Sequence, residues 1–160
     1  MMERKPHTSE FGSVDPAPPQ LGGQISTYKN DVLNNDIPMF QRMRAVFALR
    51  NVRSDEAALA LCEGFHCSSA LLRHEIAYVL GQMQNNVVLP KLTEVLSDEE
   101  EHVMVRHEAA EAMGAIGDRS IINILEKFKN HPQPEIAESC IVALDLLQWV
   151  QSAEFEDFSE

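Results

Sequence analysis

The sequence predicts an all-α chain, a solenoid of four stacked helix pairs, and three observations carry that expectation. A segment of 31–33 residues recurs along most of the chain. Within each copy the apolar residues return at helical spacing rather than in β alternation. Aromatics make up only 6% of a chain that is 44% apolar, a composition with a packed core but few strand-forming runs. With 160 residues the chain is sized for one domain of moderate core.

The repeat is visible when RHEIAYVLGQM (73–83) is laid over RHEAAEAMGAI (106–116), which matches Arg, His, Glu, Ala and Gly in place at a spacing of 33 residues. The same frame finds RMRAVFALRNV (42–52) and AESCIVALDLL (137–147), each 31 residues from its neighbour. Taken in order, 1–28 is expected to be a flexible tail or linker, because Pro6, Pro16, Pro18, Pro19, Gly12, Gly22 and Gly23 crowd a stretch too poor in apolar residues to offset its ordering entropy. Residues 29–150 are expected to hold the four units. In the two central units a second helix follows a polar turn: 87–96 after Asn85–Asn86, with Val88, Leu89, Leu92 and Leu96 on one face, and 119–129 after Gly117–Asp118, with Ile121, Ile122, Leu125 and Phe128. Ala77, Gly81, Ala110 and Gly114 are small enough for neighbouring helices to approach closely, while Tyr78 and Met113 fall on the core face. No single helix pair can bury its apolar face alone, so the units stack, in the manner of HEAT-like repeats, into a right-handed superhelix. Residues 151–160 (QSAEFEDFSE) read as an acidic tail from which Phe155 and Phe158 would dock on a neighbouring surface.

Charge excludes one class of partner. A net charge of −12, from 13 basic and 25 acidic residues, leaves no basic stripe to neutralise phosphates, so nucleic acid is not an expected partner. The same field would attract a cationic partner. Three cysteines (Cys62, Cys67, Cys140) without CxxC spacing read as reduced thiols in a cytoplasmic protein. No apolar run approaches the length needed to span a bilayer, and MMERKPHTSEFGSVDPAPPQ lacks the charged-then-apolar order of a secretory signal.

The chemistry-bearing residues are His74-Glu75 and His107-Glu108, the same pair at the same place in two successive units. Neighbouring residues on a helix point about 100° apart, so one pair alone makes a poor chelate. Equivalent helices of stacked units lie roughly 8–10 Å apart, which brings His74 level with His107 and Glu75 level with Glu108. Two imidazoles and two carboxylates, with no sulfur, suit iron, manganese or zinc, and two His with one carboxylate is the donor set of non-haem Fe(II) oxygen chemistry. The plainer reading is a polar ladder near helix N-termini, where Glu favours the helix dipole. Against it, the flanking units carry Met43-Arg44 and Glu138-Ser139 at this place, whereas a packing element should recur in all four. Arg73 and Arg106, one residue earlier, are expected to make salt bridges along the solenoid. His7, His66, His102 and His131 are expected in solvated tail or loop positions, with His66 close enough in sequence to line the same surface.

Beyond these patterns, SVDPAPP (13–19), RMRAVFALRN (42–51), EAALALCEGFHCSSALLRHEIAYVLGQMQ (56–84), VMVRHEAAEAMGAIGD (103–118) and ESCIVALD (138–145) closely resemble deoxyhypusine hydroxylase. The resemblance implies a HEAT-repeat enzyme of two four-repeat halves around a di-iron centre. Such an enzyme uses O2 to hydroxylate a deoxyhypusine residue to hypusine in one eukaryotic translation factor, which would be the protein partner. This chain resembles the C-terminal half, with SVDPAPP similar to the segment that joins the halves. The resemblance implies that His74 and His107 bind one iron as Fe(II), that Glu75 reaches the iron of the opposite half, and that Glu108 lies beside the centre and contacts the substrate amine. The other half, with its own two His-Glu pairs, is missing from the sequence, and a homodimer of facing copies would restore four pairs. Two other readings stand beside it: a non-catalytic HEAT-repeat scaffold binding a basic protein, and a HEAT-like lyase of the bilin-attaching type, for which no aromatic-lined pocket is evident.

Overall fold

The structure, a computed structural model, describes residues 2–159, and side chains as far as residue 156. Among the described residues there is no strand; the elements are α1 (Ile25–Leu33), α2 (Met39–Val52), α3 (Asp55–Glu63), α4 (Ala70–Met83), α5 (Leu89–Ser97), α6 (Val103–Ile116), α7 (Ile122–Phe128), α8 (Pro134–Trp149) and α9 (Ala153–Ser159). The even-numbered helices α2, α4, α6 and α8 pack side by side as one layer, while α1, α3, α5 and α7 cover them as a second. This is the α-solenoid of helix pairs that the repeat predicts.

Each repeat folds alike because its junctions repeat too. α2, α4 and α6 each end on a residue in the left-handed region, Arg53 (φ 60°), Gln84 (φ 52°) and Gly117 (φ 79°), one per unit at the same place. Such an αL residue stops the helix and turns the chain toward its outer partner. Ser54 and Ser69 cap the starts of α3 and α4, their hydroxyls accepting from the amides of Ala57 and Leu72.

Two further rows set the distance and rotation of the stacked helices. A methyl group at Gly81 would sit 3.0 Å from the Ala112 Cα, and one at Gly114 only 2.9 Å from the Ala143 Cβ. The small residues therefore let α4 meet α6, and α6 meet α8, nearly backbone to backbone. Arg42, Arg73 and Arg106 hold the second row. Arg42 Nε donates to the Val32 carbonyl (2.9 Å), Arg73 Nη1 to the Cys67 carbonyl (2.7 Å) and Arg106 Nε to the Leu96 carbonyl (2.9 Å). Each cation thus satisfies a carbonyl near the end of the preceding unit, where helix dipoles favour positive charge. Arg73 also pairs with Glu101 (2.7 Å) and Arg106 with Glu99 (3.2 Å), the salt bridges along the solenoid expected from sequence.

Part of the segment expected to be a flexible linker is anchored. Asp15 takes both terminal nitrogens of the Arg50 guanidinium (3.0 and 2.8 Å), and the two side chains are 7% and 0% exposed. Ala17 is buried, Phe11 lies under the Arg50 and Arg53 guanidinia (4.4 Å each), and Arg44 Nε donates to the Pro18 carbonyl (3.0 Å). Composition misses this because the segment is held by cations of α2 rather than by its own apolar content. At the other end, Phe155 on α9 packs edge-on against Trp149 with ring centres 5.3 Å apart, whereas the side chain of Phe158 lies outside the described residues.

Candidate metal centre

The site is built on the second turns of α4 and α6. Arg73 and Arg106 point back into the preceding unit, and this sets the rotation of both helices. Their neighbours His74 and His107, about 100° round, then emerge side by side on the inner-helix surface. The two rings lie nearly parallel, 6.2 Å between centres and 22° between planes.

Glu108 closes the group. Its Oε2 lies 3.1 Å from His74 Nε2 and 3.5 Å from His107 Nε2, with the three side chains 10%, 29% and 20% exposed. Among the described residues these form a cluster whose ligand atoms all lie within 4.8 Å of one another. Metal–nitrogen and metal–oxygen bonds of about 2.1 Å set adjacent ligand atoms about 3.0 Å apart in octahedral and about 3.4 Å apart in tetrahedral coordination. The two distances to Glu108 therefore match the edges of a coordination polyhedron, and the two-nitrogen, one-carboxylate donor set suits a hard or borderline divalent metal. The cluster could hold a metal ion. With no metal, the proton takes that role: hydrogen bonding to Glu108, then to Glu75, raises the His74 pKa to about 9 against the opposing effect of burial.

Glu75 is not part of this cluster. Its Oε2 faces the other nitrogen of His74 at 3.8 Å. The structure thus brings three of the four expected site residues together and leaves the fourth carboxylate beside them.

The surroundings are acidic. An open cavity of about 450 Å³ beside the cluster is lined by Phe11, Tyr78, Gln82, Glu108 and Glu111. A second, of about 300 Å³ on the far side of His107, is lined by Met104, Glu111, Glu135, Glu138 and Ser139. Phe11, Glu111 and Ser139 are among the residues here that the sequence does not single out. Phe11 lies in the stretch whose composition predicts a tail, and Ser139 stands where the sequence shows only the absence of a His-Glu pair. His107 Nδ1 lies 2.7 Å from the Ser139 Oγ, a signal that no single-unit pattern could show.

The other histidines stay apart. His66 is exposed and outside the cluster, and His102 caps α6 by accepting from the Met104 amide (3.2 Å). His131 departs from the expected solvated loop: its side chain is 12% exposed, 6.1 Å from the Phe128 ring and 3.5 Å from Glu99. Phe128 supplies an apolar floor and Glu99 a counter-charge, and the loop folds onto both. The three cysteines are buried and unpaired, and burial pushes the Cys62 and Cys140 thiols up to about 11, so neither is poised as a nucleophile.

The fold and its repeats define the class: the chain belongs to the PBS lyase HEAT-like repeat family, whose model matches residues 41–67, 72–98 and 105–131. Within that class it is similar to deoxyhypusine hydroxylases. It is 46% identical over 146 residues to deoxyhypusine hydroxylase of Danio rerio, covering 91% of this chain and 48% of that protein. It is 49% identical over 153 residues to the enzyme of Candida albicans (92% and 48%) and 45% identical over 144 residues to that of Homo sapiens (90% and 48%). The solved structure of human deoxyhypusine hydroxylase in complex with glycerol superposes with a TM-score of 0.86 at 45% identity, covering 91% of this chain and 50% of that one. The resemblance read from the sequence therefore holds over nearly the whole chain, and the chain spans about half the length of the relatives it matches. Among the described residues no helix is long and apolar enough to cross a membrane.

Proposed function

We propose that this chain supplies half of the iron centre of a deoxyhypusine hydroxylase acting in the cytoplasm. The observation that carries the reading is the convergence of His74 Nε2 and His107 Nε2 on one oxygen of Glu108. His74, His107 and Glu108 would hold one iron as Fe(II). Glu75, outside that cluster, is the carboxylate available to a second iron held by another copy of the His-Glu ladder, completing a di-iron site. When bound, iron supplies the activation of O2 for hydroxylation of an unactivated C–H bond. The chain's own residues bind and orient the substrate. Glu108 and Glu111 line the cavity with two carboxylates, while Phe11 and Tyr78 give it apolar walls, a lining suited to an alkyl chain ending in an amine. Glu108 is thus both ligand and amine-facing catalytic residue. The deoxyhypusine-containing translation factor is the proposed protein substrate, attracted by the net charge of −12.

Anaerobic purification with Fe(II), followed by metal analysis and measurement of mass in solution, tests this reading. The wild-type chain should hold iron, and a homodimer of facing copies should form or strengthen with it. His74→Ala and His107→Ala should each weaken Fe(II) binding more than about 100-fold, beyond the loss expected for a residue that merely orients a ligand. Iron binding that survives both substitutions refutes the assignment. A monomer with and without Fe(II) refutes the homodimer alone and leaves a distinct partner half. An acidic scaffold that binds a basic protein would keep that binding in both variants.

A further inference from the structure

The fourth unit of the solenoid carries Glu138-Ser139 where the central units carry His-Glu, and Ser139 is 5% exposed on α8, facing α6. Its Oγ makes two short contacts: 2.6 Å to the Glu135 carbonyl one turn earlier and 2.7 Å to His107 Nδ1. A hydroxyl has one hydrogen to give. Two oxygens 2.6 Å apart need a hydrogen between them, and the carbonyl has none, so the hydroxyl donates to Glu135. Its lone pair must then accept from His107, which requires the hydrogen to sit on Nδ1. The reverse arrangement would leave two acceptors facing each other at 2.6 Å. This holds whether the imidazole is neutral or charged, because Nδ1 carries a hydrogen in both.

We infer that Ser139 is a positioning residue for His107: through the relay Nδ1–H to Oγ–H to the Glu135 carbonyl, it fixes the tautomer and the ring plane so that Nε2 alone carries a free lone pair, open to a metal held beside Glu108. The metal consequence rests on the proposed function; the tautomer does not. The two histidines of the site are then held differently. His74 faces a carboxylate at each nitrogen, Glu75 at 3.8 Å from Nδ1 and Glu108 at 3.1 Å from Nε2, whereas His107 is tied to backbone through a buried hydroxyl. Glu111 Oε1, 3.5 Å from His107 Nδ1 and on an exposed side chain, is the competing partner. Ser139 is nearer and fixed at both ends, so it governs the ring.

The test uses the full chain. Long-range nitrogen–proton correlation of the His107 imidazole, in the metal-free protein at a pH where the ring is neutral, should show hydrogen on Nδ1 in the wild type. Ser139→Thr, which keeps the hydroxyl, should preserve that pattern, and Ser139→Ala should populate the Nε2–H form. Anaerobic Fe(II) titration should show affinity falling about 10–100-fold in Ser139→Ala and restored in Ser139→Thr. Hydrogen on Nε2 in the wild type overturns the inference. So does a Ser139→Ala variant with the wild-type tautomer and affinity, which would assign the ring to Glu111. If Ser139→Ala does not fold, the wild-type and Ser139→Thr spectra decide alone. A wild type that binds no Fe(II) overturns the metal reading, and the tautomer still decides the role of Ser139.

Discussion

Removing the Asp15 carboxylate should unseat the N-terminal segment, and the structure sets the size of the effect. Arg50 is fully buried and Asp15 nearly so, joined by contacts of 3.0 and 2.8 Å. Removing one member of such a pair costs about 3–5 kcal/mol, because the remaining charge stays buried without its partner. Arg50 would keep Gln82 Oε1 (2.9 Å), Asn51 Oδ1 (3.1 Å) and the Phe47 ring (4.8 Å), which places Asp15→Ala near the lower end, about 3 kcal/mol. For a chain of this size that is a fall of about 6–12 °C in Tm. The neighbouring pair Arg53–Glu10 is an internal control: it lies at 3.2 Å with side chains 54% and 85% exposed, and Glu10→Ala should cost under about 1 kcal/mol. Thermal and denaturant unfolding measure both, and limited proteolysis reports whether residues 9–20 come away. Because Phe11 of this segment lines the cavity beside Glu108, Asp15→Ala should also remove that wall and widen the cavity. An Asp15→Ala variant as stable as Glu10→Ala, with the segment still protected, would refute the reasoning.

Two further predictions follow from the site and its frame. In the metal-free chain His74 holds its proton up to about pH 9, above the ordinary imidazole value of about 6.5. The stabilisation from its carboxylate partners is therefore fully present below pH 6.5 and lost as pH rises through 9. Metal must displace that proton, so Fe(II) or Zn(II) affinity measured between pH 6 and 8 should rise about tenfold per unit, and a flat profile would refute the assignment. Gly114→Ala places a methyl 2.9 Å from the Ala143 Cβ, where α6 and α8 must separate. Over-packing of about 1–3 kcal/mol should outweigh the roughly 1 kcal/mol gain in helix propensity, a net loss visible in chemical denaturation; equal or higher stability would show that the two helices have room to spare.

The fold was legible because a solenoid writes its contacts into its period. One frame of 31–33 residues located the inner helices, the glycines at their crossings and the arginines at their junctions. Stacking turns equal positions into neighbours, which is why the frame sets His74 beside His107, whereas Glu108 meets His74 one position off the frame and Glu75 stays outside the cluster. What escaped were contacts that run across the period. Arg50 to Asp15 joins α2 to a proline-rich strip, and His107 to Ser139 joins a histidine to a residue of another type one unit on. The half-buried ring of His131 needed Phe128 and Glu99, from two different units, to be placed. Propensity and spacing report what a segment does alone, and these contacts are properties of pairs.

The row of residues at the His-Glu place shows how one repeated scaffold carries three different duties. In the first unit Arg44 donates to the Pro18 and Pro19 carbonyls and holds the strip that covers the cavity. In the second and third, His74, His107 and Glu108 converge on a point. In the fourth, Ser139 receives His107. All four places lie on inner helices of the same layer, so the difference lies in side chains, and of the two outer members Ser139 is the one that touches a candidate ligand. The converging donors number three, while an octahedral ion takes about six. Under the proposed function the positions left free would be filled by another set of donors, and Glu75, outside the cluster and only 13% exposed, would be the carboxylate left for that second set.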